Sequence, residues 1–290
     1  MGNAMQKLIT SNPARQSGRH ALLAVLSLVM LAACSEPEFV LEGDRIDVLP
    51  AQVIETADAA ALAEGAGLAV EANIANAPVV GLTAGHAGGN PRLAAPLTQI
   101  WSASIGGAGS RLTDLAMPVV GDGRVFTVAL NGMVKAFAID NGAVIWTSNI
   151  EQIADDALPG IGGGMAVTAD GLAVHAGGRR LAMLNPTDGT TLWSLDLDIP
   201  LRGGPTPLGD DRLAVTDLDG NMIVFTTAGG EQLWEHYGIA ADTVLFGAPS
   251  PAHANDEIVL AGSGGEVSYF DALEGCLLYT SDAADEGLGV

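Results

Sequence analysis

Three turn signals followed by a tryptophan recur in the same order along the second half of the chain. The repeating segments read VVGDGRVFTVALNGMVKAFAIDNGAVIW, AVTADGLAVHAGGRRLAMLNPTDGTTLW and TPLGDDRLAVTDLDGNMIVFTTAGGEQLW. The signals are pairs of Asp, Asn and Gly, at 122–123, 131–132 and 141–142, then 170–171, 177–178 and 188–189, then 210–211, 219–220 and 229–230. Short runs rich in Val, Ile, Phe and Leu separate them, as tight β-hairpins require. The pattern therefore predicts repeated antiparallel units.

The tryptophans that close the units are evenly spaced. Trp101, Trp146, Trp193 and Trp234 follow one another at intervals of 45, 47 and 41 residues. A four-stranded meander with this period is typical of a β-propeller blade, whose two apolar faces are buried only between neighbouring blades. We predict an all-β chain with a partial β-propeller over residues 96–275, in which each indole is wedged between blades and bonds a backbone carbonyl. The alternatives are an aromatic sugar-binding platform for the tryptophans and a β-sandwich, but neither accounts for the regular repeat.

The N-terminus has the features of a bacterial lipoprotein leader. Lys7, Arg15 and Arg19 precede an apolar run at 21–33, which is too short to span a bilayer. The junction Leu-Ala-Ala-Cys resembles a lipobox, so we predict a signal peptide at 1–33 and lipid attachment at Cys34, with ordinary cleavage after Ala-Ala as the alternative. Ser35 after the cysteine favours the outer membrane over the inner one.

Residues 34–95 are rich in Ala and Gly and show little sustained periodicity, which predicts a flexible, lipid-anchored tether with a short helix near residues 56–66. The net charge of −22 leaves no basic surface to neutralise phosphates, so nucleic acid is excluded as a partner.

The order of these motifs resembles one known family. The blade pattern is similar to pyrroloquinoline-quinone-type propeller repeats, and with the lipobox it resembles the BamB family, the lipoproteins of the outer-membrane β-barrel assembly machinery. The stretches that carry the resemblance are LEGDRIDVLP, LDIPLRGGPTPLGDDRLAVTDLDGNMIVF and GSGGEVSYFDALEG. It implies an eight-bladed propeller without enzymatic activity or cofactor, of which about four blades are present here. A closed four-bladed ring is the alternative.

The resemblance also implies partners and a contact loop. The implied partners are BamA, the rest of the assembly complex and unfolded outer-membrane proteins. The loop that carries the contact with BamA corresponds to Ile199, Leu201, Arg202 and Gly203. Arg202 is one of nine basic residues between Cys34 and Gly275, and a guanidinium beside exposed aliphatic side chains is typical of binding hot spots. The alternative is that Arg202 caps a loop between blades.

Residue patterns for catalysis or metal binding do not emerge. The stretch from Asp217 to Asn221 could suggest calcium, but Ala228 stands where a loop of this type needs a bidentate glutamate, and a hairpin turn explains the stretch. The glycines at 160–164 lack the following Lys-Ser/Thr of a phosphate loop, and the histidines lack ligand spacing. We predict no catalytic or metal site. A periplasmic quinoprotein-like enzyme or ligand-binding propeller is the alternative function.

The last residues call for a separate explanation. A fourth unit spans residues 251–275 and has its turn signals at 255–256, 264–265 and 274–275, but Cys-Leu-Leu-Tyr follows where the pattern requires a tryptophan. Cys276 to Glu286 read CLLYTSDAADE, which is one translation of a transposase adapter end used in sequencing libraries. We therefore predict that 276–290 are adapter-derived and that the native sequence is interrupted at Gly275. A natural acidic tail is the alternative.

The lipobox generates a direct test. Replacing Cys34 by Ser removes the thiol that would carry the acyl chains, so the protein is expected to move from the membrane fraction to the soluble fraction of the cell. Quantitative blotting of the two fractions measures this. Cys276→Ser serves as the matched control and is expected to leave the distribution unchanged. Persistence of the Cys34→Ser protein in the membrane would contradict lipidation at this residue.

Overall fold

The computed structural model describes residues 70–93, 95–106, 115–150, 162–239 and 250–282. These residues belong to one compact unit that spans Glu64–Val290. The predicted signal peptide, Cys34 and the predicted helix near residue 60 lie outside the described residues. The described part contains strands and turns, and it holds no helix of the length and apolarity needed to cross a bilayer.

Within the described residues, sixteen strands form four antiparallel sheets, each a meander of four consecutive strands. Blade 1 consists of β1 (Val119–Gly121), β2 (Arg124–Val128), β3 (Met133–Ala138) and β4 (Val144–Asn149). Blade 2 consists of β5 (Gly164–Val167), β6 (Leu172–His175), β7 (Arg180–Leu184) and β8 (Thr191–Asp196). Blade 3 consists of β9 (Leu201–Leu208), β10 (Arg212–Asp217), β11 (Met222–Thr226) and β12 (Gln232–His236). Blade 4 consists of β13 (Ala252–Ala254), β14 (Glu257–Ala261), β15 (Glu266–Asp271) and β16 (Leu277–Asp282). The predicted all-β propeller of four-stranded blades is confirmed.

The core lies between the blades. One buried apolar cluster joins blades 1 and 2, a second joins blades 2 and 3, and a third joins blades 3 and 4. Alternate residues of one strand serve opposite seams: on β10, Leu213 and Val215 face blade 2 while Ala214 faces blade 4. This is the period of two that a strand imposes on its side chains. Each blade is therefore stabilised through its neighbours.

The tryptophans connect successive blades. The indole nitrogens of Trp101, Trp146 and Trp193 donate to Ile139 O, Pro186 O and Thr227 O of the next unit at 2.7, 3.0 and 2.8 Å. Each ring also lies over the glycine of the next unit's third turn. A Cβ atom added at Gly142, Gly189, Gly230 or Gly275 would stand 2.5 to 2.9 Å from the indole. Because the third-turn glycine and the tryptophan recur from unit to unit, each indole ring packs against the following blade.

The seam between blades 3 and 4 departs from this arrangement. Trp234 lies over Gly275, but its indole nitrogen is buried without a hydrogen-bond partner. The equivalent acceptor is Ala272 O, which receives a 2.7 Å hydrogen bond from Arg212 Nη1. The Arg212 guanidinium therefore donates to the carbonyl that is equivalent to the indole acceptors at the other seams.

A segment before the blades covers their innermost strands. We call residues 77–86 the inner strap. Ala77 and Val120 exchange backbone hydrogen bonds of 2.9 and 2.8 Å, Val167 N–H donates to Pro78 O at 2.8 Å, and His253 N–H donates to Ala84 O at 2.8 Å. Val79 is 5% exposed and belongs to the cluster between blades 2 and 3. The sequence predicts a flexible tether here, whereas the structure places these residues against the blades. The reason is that the first strand of a blade has an unpaired inner edge, and the strap supplies hydrogen-bond partners to β1, β5 and β13.

The outer strand of blade 4 is formed by residues of the predicted adapter segment. Tyr279 pairs with Tyr269 at the register position where Trp146 pairs with Ala136, and its side chain is exposed. The geometry shows that this sequence can take the place of an outer strand. Its origin stays a prediction.

Two glycines allow the ring contact to be measured separately from backbone strain. Gly189 and Gly209 have φ values of +76° and +74°, but an added Cβ meets the Trp146 ring at 2.5 Å at Gly189 and nothing within 4 Å at Gly209. Gly209→Ala is expected to cost about 1 kcal/mol from the left-handed backbone alone. Gly189→Ala is expected to cost about 2 to 3 kcal/mol more, because the ring must move. Urea unfolding of both variants measures the difference, and equal destabilisation would contradict the packing role of the ring.

Candidate partner-binding site

The predicted contact loop leads into the first strand of blade 3. Ile199 precedes β9 and is partly buried, and Leu201 and Arg202 are its first residues. Arg202 pairs with Thr216 and Thr206 pairs with Ala214, so Gly203 to Pro205 lie opposite the single residue Val215. This is a β-bulge, and it suits the sequence because Gly203 adopts φ +72° and Pro205 has no N–H to leave unpaired. The bulge changes the direction of β9 near its first residues, where the loop joins the strand.

Leu201 is fully buried, at 0% exposure, in the cluster between blades 2 and 3. The expectation that it presents an exposed aliphatic surface is wrong. Leu201 pairs with Asp217 across the β9–β10 ladder, so it belongs to strand β9 and not to a free loop. Its side chain lies in the core. Truncating Leu201 would therefore test stability before it tested binding.

Arg202 is 4% exposed and bridges two blades. Its Nε donates to Asp217 O at 3.0 Å within blade 3, and its Nη2 donates to Ser263 Oγ at 2.7 Å in the β14–β15 turn of blade 4. Burial lowers the pKa of the guanidinium, and the charge of Asp217 opposes this. The bridging contact is the one that the loop-capping alternative describes. The role of Arg202 toward a partner stays a prediction.

The turn beside Arg202 is organised by one carboxylate. Asp217 Oδ1 accepts hydrogen bonds from Asp219 N and Asn221 N at 3.0 and 2.9 Å, and Oδ2 accepts from Asn221 Nδ2 at 2.8 Å. Burial raises the pKa of Asp217, and these hydrogen bonds oppose the rise. Both carboxylate oxygens of Asp217 therefore accept hydrogen bonds within the β10–β11 hairpin. Among the described residues, no group of three or more His, Cys, Asp or Glu side chains is placed to hold a metal ion.

A buried histidine supports the bulge from the neighbouring blade. His175, at the end of β6, is 1% exposed, and its Nε2 lies 2.6 Å from Gly203 O. Its Nδ1 accepts from Gly177 N–H at 3.3 Å, which fixes the neutral tautomer with the proton on Nε2. Burial lowers the pKa of His175 to about 4, and the bond to Gly203 opposes this. His175 was missed by sequence reasoning because it has no ligand spacing. The only signal was a polar residue ending an apolar strand.

A cleft runs beside the loop. It has a volume of about 340 Å³ and is lined by Asp196, Asp198, Ile199, Glu235 and Tyr237 among others. Ile199 thus forms part of a surface that the ends of blades 2 and 3 share. The structure brings Ile199 and Arg202 to one end of blade 3, and it keeps Leu201 inside.

Comparison with known proteins adds a family to this geometry. Residues 130–285 match the sequence profile of the family described as outer membrane protein assembly factor BamB. The chain belongs to the BamB family. BamB of Burkholderia pseudomallei is 30% identical over 164 residues, which cover 57% of this chain and 40% of that protein. BamB of Shewanella oneidensis is 28% identical over 178 residues, which cover 58% and 44%. The chain therefore spans less than half the length of these BamB relatives.

One solved structure shares the fold alone. The quinohemoprotein alcohol dehydrogenase of Comamonas testosteroni superposes with a TM-score of 0.59 over 73% of this chain and 41% of that chain, at 16% identity. BamB-family and quinoprotein propellers thus use the same blade, and the blade by itself does not separate the two functions.

The buried histidine predicts an acid sensitivity of the bulge. Because the pKa of His175 is lowered from 6.5 to about 4, the unfolded chain binds more protons between these values, and stability falls as pH falls through this window. The expected loss from His175 is about 2 kcal/mol between pH 7.5 and pH 5. Urea unfolding of the wild type and of His175→Gln at both pH values measures it. The variant is expected to lose less stability than the wild type over this interval. Equal losses in both proteins would contradict a buried neutral imidazole.

Proposed function

We propose that this protein is a non-catalytic scaffold of the β-barrel assembly machinery. It is held by a lipid anchor at the periplasmic face of the outer membrane and binds the periplasmic domains of BamA. It thereby assists the folding and insertion of outer-membrane β-barrel proteins. Membership of the BamB family through residues 130–285 is the observation that carries the proposal.

The position of the inner strap supports a scaffold rather than an axial ligand site. The strap hydrogen-bonds β1, β5 and β13 through Val120, Val167 and His253. Its Val80 side chain also lies beside Gly204 of β9. The first strands of propeller blades surround the central axis. The chain's own backbone therefore bonds the inner strands of blades 1, 2 and 4, and the Val80 side chain lies beside the inner strand of blade 3, where an axial ligand would contact them.

The loop before β9 offers a surface for the partner. Ile199 stands beside a cleft with acidic walls, and Arg202 is anchored behind it by two hydrogen bonds. An apolar side chain next to a well-ordered strand is favoured as an anchor for a protein partner, because little entropy is lost when it binds. The contact with BamA is proposed to run through Ile199 and the entrance to β9.

An affinity purification tests the proposal. The tagged full-length protein is expected to recover BamA from solubilised membranes, and Ile199→Glu is expected to reduce recovery about tenfold, because a charge replaces the apolar anchor. Leu192→Glu is the matched control, since Leu192 is an aliphatic residue with 51% exposure at the start of β8, the end of the strand away from Ile199. It is expected to leave recovery unchanged.

The same preparation separates the scaffold from a quinoprotein. The purified protein is expected to show no quinone absorbance and no calcium-dependent rise in melting temperature. Either signal would count against a purely non-catalytic role. Failure of the wild type to recover BamA would remove the proposal altogether.

A further inference from the structure

The loop between β8 and β9 is held by backbone hydrogen bonds at both of its ends. At its start, Leu197 N–H donates to Arg179 O at 2.9 Å, and at its end, Leu201 N–H donates to Gly178 O at 3.0 Å. Both acceptors belong to the turn between β6 and β7 of blade 2. Ile199 lies midway between the two bonds. The conformation of this turn therefore sets the position of Ile199.

The same turn is held from inside by His175. This histidine ends β6 and is 1% exposed. Its Nδ1 accepts from Gly177 N–H at 3.3 Å, and its Nε2–H donates to Gly203 O at 2.6 Å, just past the loop. A neutral imidazole has one acceptor and one donor, which is what these two backbone groups require. One ring thus joins the turn that holds the loop to the strand that follows the loop.

The peptide between Gly203 and Gly204 is confined on its other sides as well. Gly204 N–H donates to Ser250 Oγ at 2.7 Å, and a Cβ added at Gly204 would stand 3.4 Å from the Val80 side chain of the inner strap. A Cβ added at Gly164 of β5 would lie 2.5 Å from Gly204 Cα, so the inner strands of blades 2 and 3 approach closely here. The carbonyl and the N–H of this peptide are therefore both bonded by side chains, within a tightly packed site.

Packing alone does not call for a histidine at this place. The three preceding residues of β6 are apolar and fully buried, and a buried polar side chain is unfavourable unless its hydrogen bonds are made. We propose that His175 is a positioning residue for the partner-binding loop, which holds residues 197–203 in the conformation that presents Ile199, with Ser250 as a second support. This rests on the proposed function above and adds the residue that prepares its site. A loop that is ordered before the partner arrives loses less entropy on binding.

A double-mutant cycle with the purified periplasmic domains of BamA tests this role. Isothermal titration is carried out with the full-length wild type, His175→Leu, Ile199→Ala and the combined variant. Each single substitution is expected to weaken binding about fivefold. Independent effects would multiply to about twenty-five-fold, but the combined variant is expected to weaken binding less than about tenfold, because a displaced loop no longer presents the side chain at 199.

Two further variants separate positioning from stability. His175→Gln keeps an N–H donor for Gly203 O and is expected to bind within about twofold of the wild type. Thr227→Val is the matched control, because Thr227 is 1% exposed and its hydroxyl bonds Asp170 across the same two blades, at the other end of β6. Thr227→Val and His175→Leu are both expected to lower the melting temperature by about 2 to 4 °C. The control is expected to leave binding within about twofold and to be additive with Ile199→Ala.

Ser250→Ala takes the place of His175→Leu if the latter does not fold. It removes the acceptor of Gly204 N–H without touching blade 2. The same cycle is then measured with Ile199→Ala, and the same weakening and the same non-additivity are expected.

The outcomes separate the two proposals. Wild-type affinity in a folded His175→Leu protein, or a combined effect equal to the product of the single effects, overturns the positioning role while the scaffold function stands. Binding by His175→Gln as weak as by His175→Leu, or equal non-additivity in Thr227→Val, overturns it as well. An absence of wild-type binding overturns the scaffold function, and the positioning role with it.

Discussion

The packing of a tryptophan ring against a glycine turn of the following blade is the contact on which the rest of this structure depends. A single four-stranded meander exposes two apolar faces, and it becomes stable only when both are covered. The third-turn glycines Gly142, Gly189, Gly230 and Gly275 leave room for the indole, and three of the four rings also bond a carbonyl of the next blade. Repetition of this contact sets the spacing between blades and therefore the position of every inner strand.

The seam between blades 3 and 4 shows what happens when this contact is modified. Arg212 takes the carbonyl of Ala272, and Trp234 keeps its ring contact but has no acceptor for its indole N–H. At the other end of the same seam, Arg202 reaches across to Ser263 beside a cavity. Two arginines thus connect these blades in addition to the apolar cluster between them.

The repeat made the strands, their order and their turns predictable, because Asp-Gly and Asn-Gly pairs have few backbone alternatives and alternation within a strand follows from its geometry. The residues of the candidate site were harder to predict from the sequence. Arg202 was found through family resemblance, but Leu201 was expected on the surface and is buried, and His175 was passed over. The burial of Leu201 could not be read from local pattern, since the β9 bulge moves its residues relative to the simple alternation of a strand. The inner strap escaped notice for a related reason: its hydrogen bonds are made to strands that lie far away in the sequence.

By itself, the sequence determined that this chain builds four-stranded antiparallel blades, and it placed the tryptophans and turn glycines at equivalent positions in each. These features depend on interactions between residues close in the chain and on a regular period. Only the tertiary structure decided which side chains face a seam, to which carbonyl each indole or guanidinium donates, and that Arg202 is buried between two blades. Those properties depend on the juxtaposition of neighbouring blades, where residues as distant as Arg202 and Ser263 come within hydrogen-bonding distance. Burial and charge compensation are properties of that assembled surface, and no local stretch of sequence encodes them.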